Sequence, residues 1–334
     1  MLSADLGYGN VKLFGRRGAL VMASHVATNG RETVHGLATM RGRRRMRPLE
    51  IETENGRFFV GLGAHDMGQQ VVENLDFDRF DGTPEMSALL YGAWSRYGLG
   101  PEEKVDLIAG LPLALFTGDE LVVRAGIRRI RKFLRGEHRW EVLAGGDREQ
   151  VIGEQRVTVG EVMIASQADG TLFDYLLDED GSMPSAKKLE LGKEIGIVNI
   201  GMNTVDLLVT RNGQTVQRFT SGDTRGVRRL LSLMSSGLYS LGELDQQLRA
   251  GMLDTSAALP VWGREVTGFL EDNWGRSFRR FARVVAAGGG ALLLRDELLR
   301  FFGGKIWFPE QPIVATARGL YKLALMRAQR SGSR

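Results

Sequence analysis

Apolar positions along the chain fall into short alternating or continuous runs, read as strands, and longer runs at helical spacing. Two pairs of strand runs are built alike. Leu2–Leu6 and Val11–Phe14 flank Gly7-Tyr8-Gly9-Asn10, and Ile195–Val198 and Val205–Val209 flank Gly201-Met202-Asn203-Thr204. Aliphatic and β-branched residues suit a half-buried pleated strand, and Gly and Asn tolerate the backbone of a tight turn. Each unit reads as a plain β-hairpin. Asp5 precedes the first turn as Asn199 precedes the second, so the two also read as an internal duplication. Two such turns face to face could hold a phosphate chain between their N–H groups.

The remaining pattern fills in around them. Strands are expected at Ala19–Ala27, Leu49–Glu54 and Arg57–Gly61, the last two joined by an Asn55-Gly56 turn. Thr83 stands at the cap of a helix from Pro84 to about Tyr97, with Met86, Leu89, Leu90, Ala93 and Trp94 on one face. Val105–Leu111 reads as a buried strand, Glu120–Arg135 as a basic helix or a helix entering a strand, and Trp140–Val142 and Gln155–Val162 as strands. Val162–Ile164 leads through Ser166-Gln167-Ala168-Asp169-Gly170 into a helix over Thr171–Leu177, and acidic Asp178–Lys188 reads as a linker. After the Arg211-Asn212-Gly213-Gln214 turn come a strand at Val216–Phe219, a helix bearing Val227, Leu230, Leu231 and Met234, and a mostly helical stretch over 236–280. Phe281–Ala287 is a strand running into Gly288-Gly289-Gly290 and a helix at Ala291–Phe302; Ile306–Phe308 and a helix at Val314–Arg330 follow. A strand–glycines–helix step lets a ligand approach backbone closely beside a helix N-terminus.

Composition narrows the chemistry. With 334 residues, 43% hydrophobic and 25% charged, the chain can bury two cores. No apolar run reaches membrane-spanning length, and the first residues read as a strand rather than a leader, so a cytoplasmic protein is expected. Cysteine is absent, which excludes disulfides, thiolate metal sites and cysteine nucleophiles, and the four histidines (His25, His35, His65, His138) show no ligand spacing. The net charge of +4 fits an acidic partner without naming one. Its densest basic run, Arg41-Gly42-Arg43-Arg44-Arg45-Met46-Arg47, reads as a solvated loop or a contact for an acidic surface.

In this order, the motifs resemble those of the actin-type ATPase superfamily, nearest to the bacterial and archaeal segregation actins of the ParM/StbA kind. Asp5-Leu6-Gly7-Tyr8-Gly9-Asn10-Val11-Lys12 is similar to the first phosphate motif, and Asn199, Gly201, Thr204 and Asp206 occupy the places of Asp-x-Gly-x-x-Thr-x-Asp, with its first acid replaced. Ser166-Gln167 matches the Pro-Gln step of microbial actins, and Ala287-Gly288-Gly289-Gly290 the adenosine motif. Gln167 to about Leu177 and Ala315–Tyr321 resemble the two interdomain connections.

The resemblance implies an α/β, duplicated ribonuclease H-like fold with two lobes around a nucleotide cleft. Residues 1–165 and 313–330 would form one lobe, with a small subdomain at about 15–80. Residues 166–312 would form the other, with a helical subdomain at about 225–280. It implies ATP or ADP with Mg²⁺, a hydration shell held by Asp5, Asn199 and Asp206, loop amides of Gly7–Asn10 and Gly201–Thr204 on phosphates, Lys12 reaching a phosphate, and Gln167 orienting the attacking water. Each residue also has a plainer reading: Asp5 as a turn cap, Gln167 as a helix cap, Lys12 as a solvated strand residue. Expected partners are further copies of the chain in a filament and a DNA-binding adaptor, without a membrane or direct sequence-specific nucleic-acid contact. A small-molecule kinase, for which Asp169 is the candidate base, and a poorly hydrolysing scaffold remain alternatives on the same fold.

Overall fold

The computed structural model describes residues 1–28, 47–68, 70–74, 76–100, 102–145 and 151–332. The basic run is outside them as far as Met46. Ten strands form the first sheet: β1 (Leu2–Leu6), β2 (Asn10–Gly15), β3 (Gly18–Ala23), β4 (Val26–Thr28), β5 (Leu49–Thr53), β6 (Gly56–Val60), β7 (Gln70–Val71), β8 (Glu103–Leu111), β9 (Gly136–Gly145) and β10 (Gly153–Ser166). Their spatial order is β3-β2-β1-β8-β10-β9-β5-β6-β4-β7. A second sheet holds β11 (Ile195–Ile200), β12 (Val205–Arg211), β13 (Gln214–Thr215), β14 (Ser221–Asp223), β15 (Arg283–Ala287) and β16 (Ile306–Trp307). Its central order is β13-β12-β11-β15-β16, and β14 pairs with β12.

Both sheets start alike. β1 pairs antiparallel with β2 and parallel with β8, as β11 pairs antiparallel with β12 and parallel with β15. The duplication extends to register: Asp5 faces Lys12 across the first hairpin, and Asn199 faces Asp206 across the second. The turns close the same way, by Gly7 N–H to Asn10 C=O at 3.1 Å and Gly201 N–H to Thr204 C=O at 2.8 Å.

Helices cover the sheets in chain order: α1 (Ala64–Met67), α2 (Pro84–Tyr97), α3 (Glu120–Leu134), α4 (Gln167–Leu176), α5 (Ser185–Leu191), α6 (Val227–Met234), α7 (Leu241–Arg249), α8 (Leu259–Trp274), α9 (Gly289–Leu293), α10 (Arg295–Phe302) and α11 (Ala315–Gly332). The expected face of α2 is buried in the first core, with Trp94 wholly enclosed; Trp262 and Trp274 of α8 anchor the second. α4 and α11 cross where glycine permits it. A Cβ on Gly319 would stand 1.8 Å from the Gly170 carbonyl oxygen, so only hydrogen fits. Beside the crossing, Arg318 donates to both oxygens of buried Asp174 at 2.7 Å.

Several boundaries differ from the sequence reading. Ala19–Ala27 is two strands separated at Ser24-His25. Gln155–Val162 and the following run are one long strand, with a register shift between Val159 and Val162. Thr83 holds the cap position of α2, yet its side chain donates to Arg79 C=O instead of capping. The expected linker ends inside α5, which runs on to Leu191, so chain polarity there marks the start of a surface helix. Val216–Phe219 is no strand. The chain turns through a 3₁₀ segment over Gln217–Phe219, which buries Phe219 and lets its carbonyl accept from Trp274 Nε1 at 2.8 Å. The helix after the three glycines is broken at Leu294 into α9 and α10. Most consequential, α4 starts at Gln167 rather than Thr171, because Ser166 and Asp169 form a capping box there.

Candidate functional site

The hairpin turns, the start of α4 and the start of α9 converge on one cavity of about 270 Å³ between the sheets. Its wall contains Asp5, Gly7, Tyr8, Gly9, Asn10, Lys12, Gln167, Asn199, Gly201, Met202, Asn203, Thr204, Gly288, Gly289 and Gly290. Residues scattered over most of the chain thus meet at one place. Asp206 does not join them on the wall. It is 1% exposed behind the second turn, where its Oδ2 accepts from Leu113 N–H at 3.2 Å. It sits one layer behind Asn199, its cross-strand partner.

The turns face each other closely. A Cβ on Gly9 would lie 2.7 Å from Met202 Cβ, so the first turn approaches the second only because residue 9 is glycine. Two of the three glycines that follow β15 are equally constrained. Gly288 has φ +93°, and a Cβ there would lie 2.2 Å from Ile200 C=O. Gly290 packs on Ile200 with the same tolerance, a Cβ falling 2.2 Å from its Cγ2. Tyr8 is packed rather than displayed: its ring meets Phe80 edge-on at 5.5 Å, and the Arg79 guanidinium stands over it at 4.9 Å. Burial raises the Tyr8 hydroxyl pKa, keeping it neutral.

A short polar chain crosses the floor. Asp5, 1% exposed, accepts from Lys12 Nζ at 2.7 Å and from Gln167 Nε2 at 2.6 Å. Lys12 therefore neutralises Asp5 instead of standing solvated, and Gln167 reaches across because α4 begins with it. Asp206 is pushed up to about 7, first by burial and further by the nearby Asp5 charge, against the Leu113 N–H bond that lowers it. Its Oδ1 has no hydrogen-bond partner among the described residues. Asp169, the candidate kinase base, is committed elsewhere: its Oδ2 accepts from Ser166 Oγ at 2.8 Å and Ser166 N–H at 3.2 Å.

The lining fits a nucleotide with a hydrated divalent cation. Glycine-free backbone would close the cradle, and the orphaned oxygen of Asp206 offers an acceptor for a water of the ion's shell. Among the described residues no group of three or more His, Cys, Asp or Glu is placed to hold a bare ion.

Sequence reading missed Asp245 and Arg249 of α7, which also line the cavity. Their i, i+4 spacing was visible inside a helical stretch. Which face of that helix met the cavity was not.

Two sheets with the same opening topology, joined by crossing helices around a glycine-walled cleft, define a two-lobed actin-like architecture. Solved structures agree along the whole chain. A non-polymerisable quadruple mutant of pCBH ParM matches with TM-score 0.73 at 18% identity, covering 97% of this chain and 98% of that one. Ta0583, an archaeal actin homolog, matches with TM-score 0.71 at 18% identity, covering 98% and 99%. A 15-stranded ParM filament from Clostridium botulinum matches with TM-score 0.69 at 17% identity, covering 98% of each. At such identities the likeness establishes the fold. The model for the N-terminal domain of actin-like proteins matches residues 3–170, half of the sequence, and the chain belongs to that family. No curated protein gives a significant match.

Proposed function

We propose that this protein binds ATP with Mg²⁺ in the cleft, hydrolyses it slowly, and assembles with copies of itself into filaments that segregate DNA or serve a cytoskeletal role. The convergence of two equivalent glycine turns and the Gly288–Gly290 step on one cavity carries the reading. The turns offer N–H groups to phosphate oxygens, and the third glycine step lets the nucleoside lie against backbone. Mg²⁺, when bound with the nucleotide, supplies charge neutralisation of the phosphates; Asp5, Asn199 and Asp206 would hold its water shell.

Hydrolysis then depends on positioning. Gln167 gives its Nε2–H to Asp5, so its Oε1 is the end left to accept from the attacking water. Commitment of Asp169 to the helix cap weighs against the kinase alternative. The lobes, residues 1–165 with 313–330 and residues 166–312, would turn about α4 and α11. Among the described residues no helix is long and apolar enough to cross a membrane. A cytoplasmic setting and a DNA-binding adaptor belong to the same proposal.

Phosphate release measured alongside sedimentation, with ATP, ADP and no nucleotide, tests it. Nucleotide-dependent pelleting with phosphate release is expected. Binding without either would leave only a scaffold.

A further inference from the structure

Helix α7 belongs by chain order to the second half, yet its polar face is bonded to the first. Asp245, 3% exposed, stands at the junction. Its Oδ2 accepts from His25 Nε2 at 2.8 Å and from Arg249 Nε at 2.7 Å. Arg249 continues across the cleft, giving Nη1 to Asn10 Oδ1 at 2.8 Å and Nη2 to Gly9 C=O at 3.0 Å. At the other end of α7, Gly242 N–H donates to Glu73 at 3.0 Å, and a Cβ on Gly242 would enter the His65 ring. Three segments of the first half, around Gly9, His25 and Glu73, are thus tied to one helix of the second.

These bonds act on the first turn itself. Gly9 C=O accepts from both Arg249 and Ser24 N–H, and Gly7 C=O accepts from Ser24 Oγ at 2.8 Å. Carbonyl oxygens whose partial charge is met by such donors repel a nearby phosphate less. Arginine suits the task because its planar fork serves Asp245, Asn10 and Gly9 together; an ammonium on a flexible stem cannot hold all three.

We infer that Arg249, oriented by Asp245 and His25, is a positioning residue for the first phosphate turn and closes the lobes over nucleotide, setting the rate at which nucleotide leaves. This rests on the nucleotide reading. Its physical content is a coupling: opening the cleft breaks the chain His25–Asp245–Arg249–Gly9/Asn10 and loosens the turn in one event.

The test pairs two measurements. Release of a fluorescent ATP or ADP analogue is followed after adding excess unlabelled nucleotide, for wild type, Arg249→Met, Arg249→Lys, His25→Phe and the His25→Phe/Arg249→Met double variant. Release is expected about tenfold faster in Arg249→Met, intermediate in Arg249→Lys, and no faster in the double variant than in the faster single one, since both break one chain. Rates within twofold of wild type in both Arg249→Met and His25→Phe overturn the inference. Because the chain has no native cysteine, spin labels at Met67→Cys, at the end of α1, and Leu238→Cys, just before α7, report the distance between those two elements without nucleotide. Exposure of both positions favours labelling. Arg249→Met should shift that distribution to longer distance; an unchanged distribution overturns the clamp. If wild type binds no nucleotide, the nucleotide reading falls, and the distance measurement still decides the clamp.

Discussion

At the scale of single residues, the cross-strand pair at the second turn sets what a change at position 199 does. Asn199 lies directly opposite Asp206, so an aspartate there would set two carboxylates face to face, which a sheet disfavours without a cation between them. Asn199→Asp is expected to lower the metal-free melting temperature. It should also raise ATP turnover on the order of tenfold and lower the Mg²⁺ needed for half-maximal activity. Superimposable Mg²⁺ titrations of both proteins would make position 199 a turn residue only. Gln167→Ala should slow phosphate release on the order of a hundredfold. ATP affinity should change little, since Gln167 touches Asp5 rather than a backbone cradle. An affinity loss equal to the turnover loss would give it another role.

Asp206 supplies the pH prediction. Its folded-state pKa, about 7, exceeds the usual carboxylate value of 3.8, so between these the native state holds a proton that the unfolded state releases. Its contribution to stability is fully present below pH 4 and lost as pH rises through 7. Denaturant titrations of nucleotide-free wild type and Asp206→Asn at several pH values should therefore diverge. Across that window wild type should lose on the order of a few kcal/mol relative to the variant. Parallel pH profiles would show that Asp206 ionises normally.

Among elements, the start of α4 and its crossing with α11 control the site's shape. The Ser166–Asp169 capping box starts the helix at Gln167 and so aims that side chain at Asp5. The crossing leaves no room at Gly319, where Gly319→Ala must push a methyl into the Gly170 carbonyl and the Asp174 backbone. We expect a loss of roughly 1–3 kcal/mol or more in urea unfolding, with nucleotide release altered as well. A stability change within error would mean the helices separate at no cost, contrary to their packing.

For the whole molecule, the proposed assembly is read directly by light scattering and electron microscopy. Wild type with Mg²⁺-ATP should scatter and form filaments, and Gln167→Ala filaments should persist longer because phosphate leaves slowly. A protein that stays monomeric at high micromolar concentration across several salts would remove the filament part of the proposal and leave the cleft intact.

Local signals sufficed for much of this. Alternating and continuous apolar runs, with glycine and asparagine at the turns, make both hairpins legible, and Asp5 standing where Asn199 stands before a glycine turn makes the duplication legible too. Turn chemistry and strand propensity act over a few residues, so a linear reading captures them. Contacts distant in sequence escaped it. Only sheet register and the Leu113 loop reveal that Asp206 is buried behind the turn, with Leu113 N–H bonded to it. Val216–Phe219 has strand composition, yet burial of Phe219 beside Trp274 outweighs that propensity. Asp245 and Arg249 carry no local mark of a site; they become one because α7 docks on Gly9, Asn10 and His25, more than 200 residues away. Such pairings are selected by global packing, where a buried carboxylate needs partners that only the folded chain can bring to it.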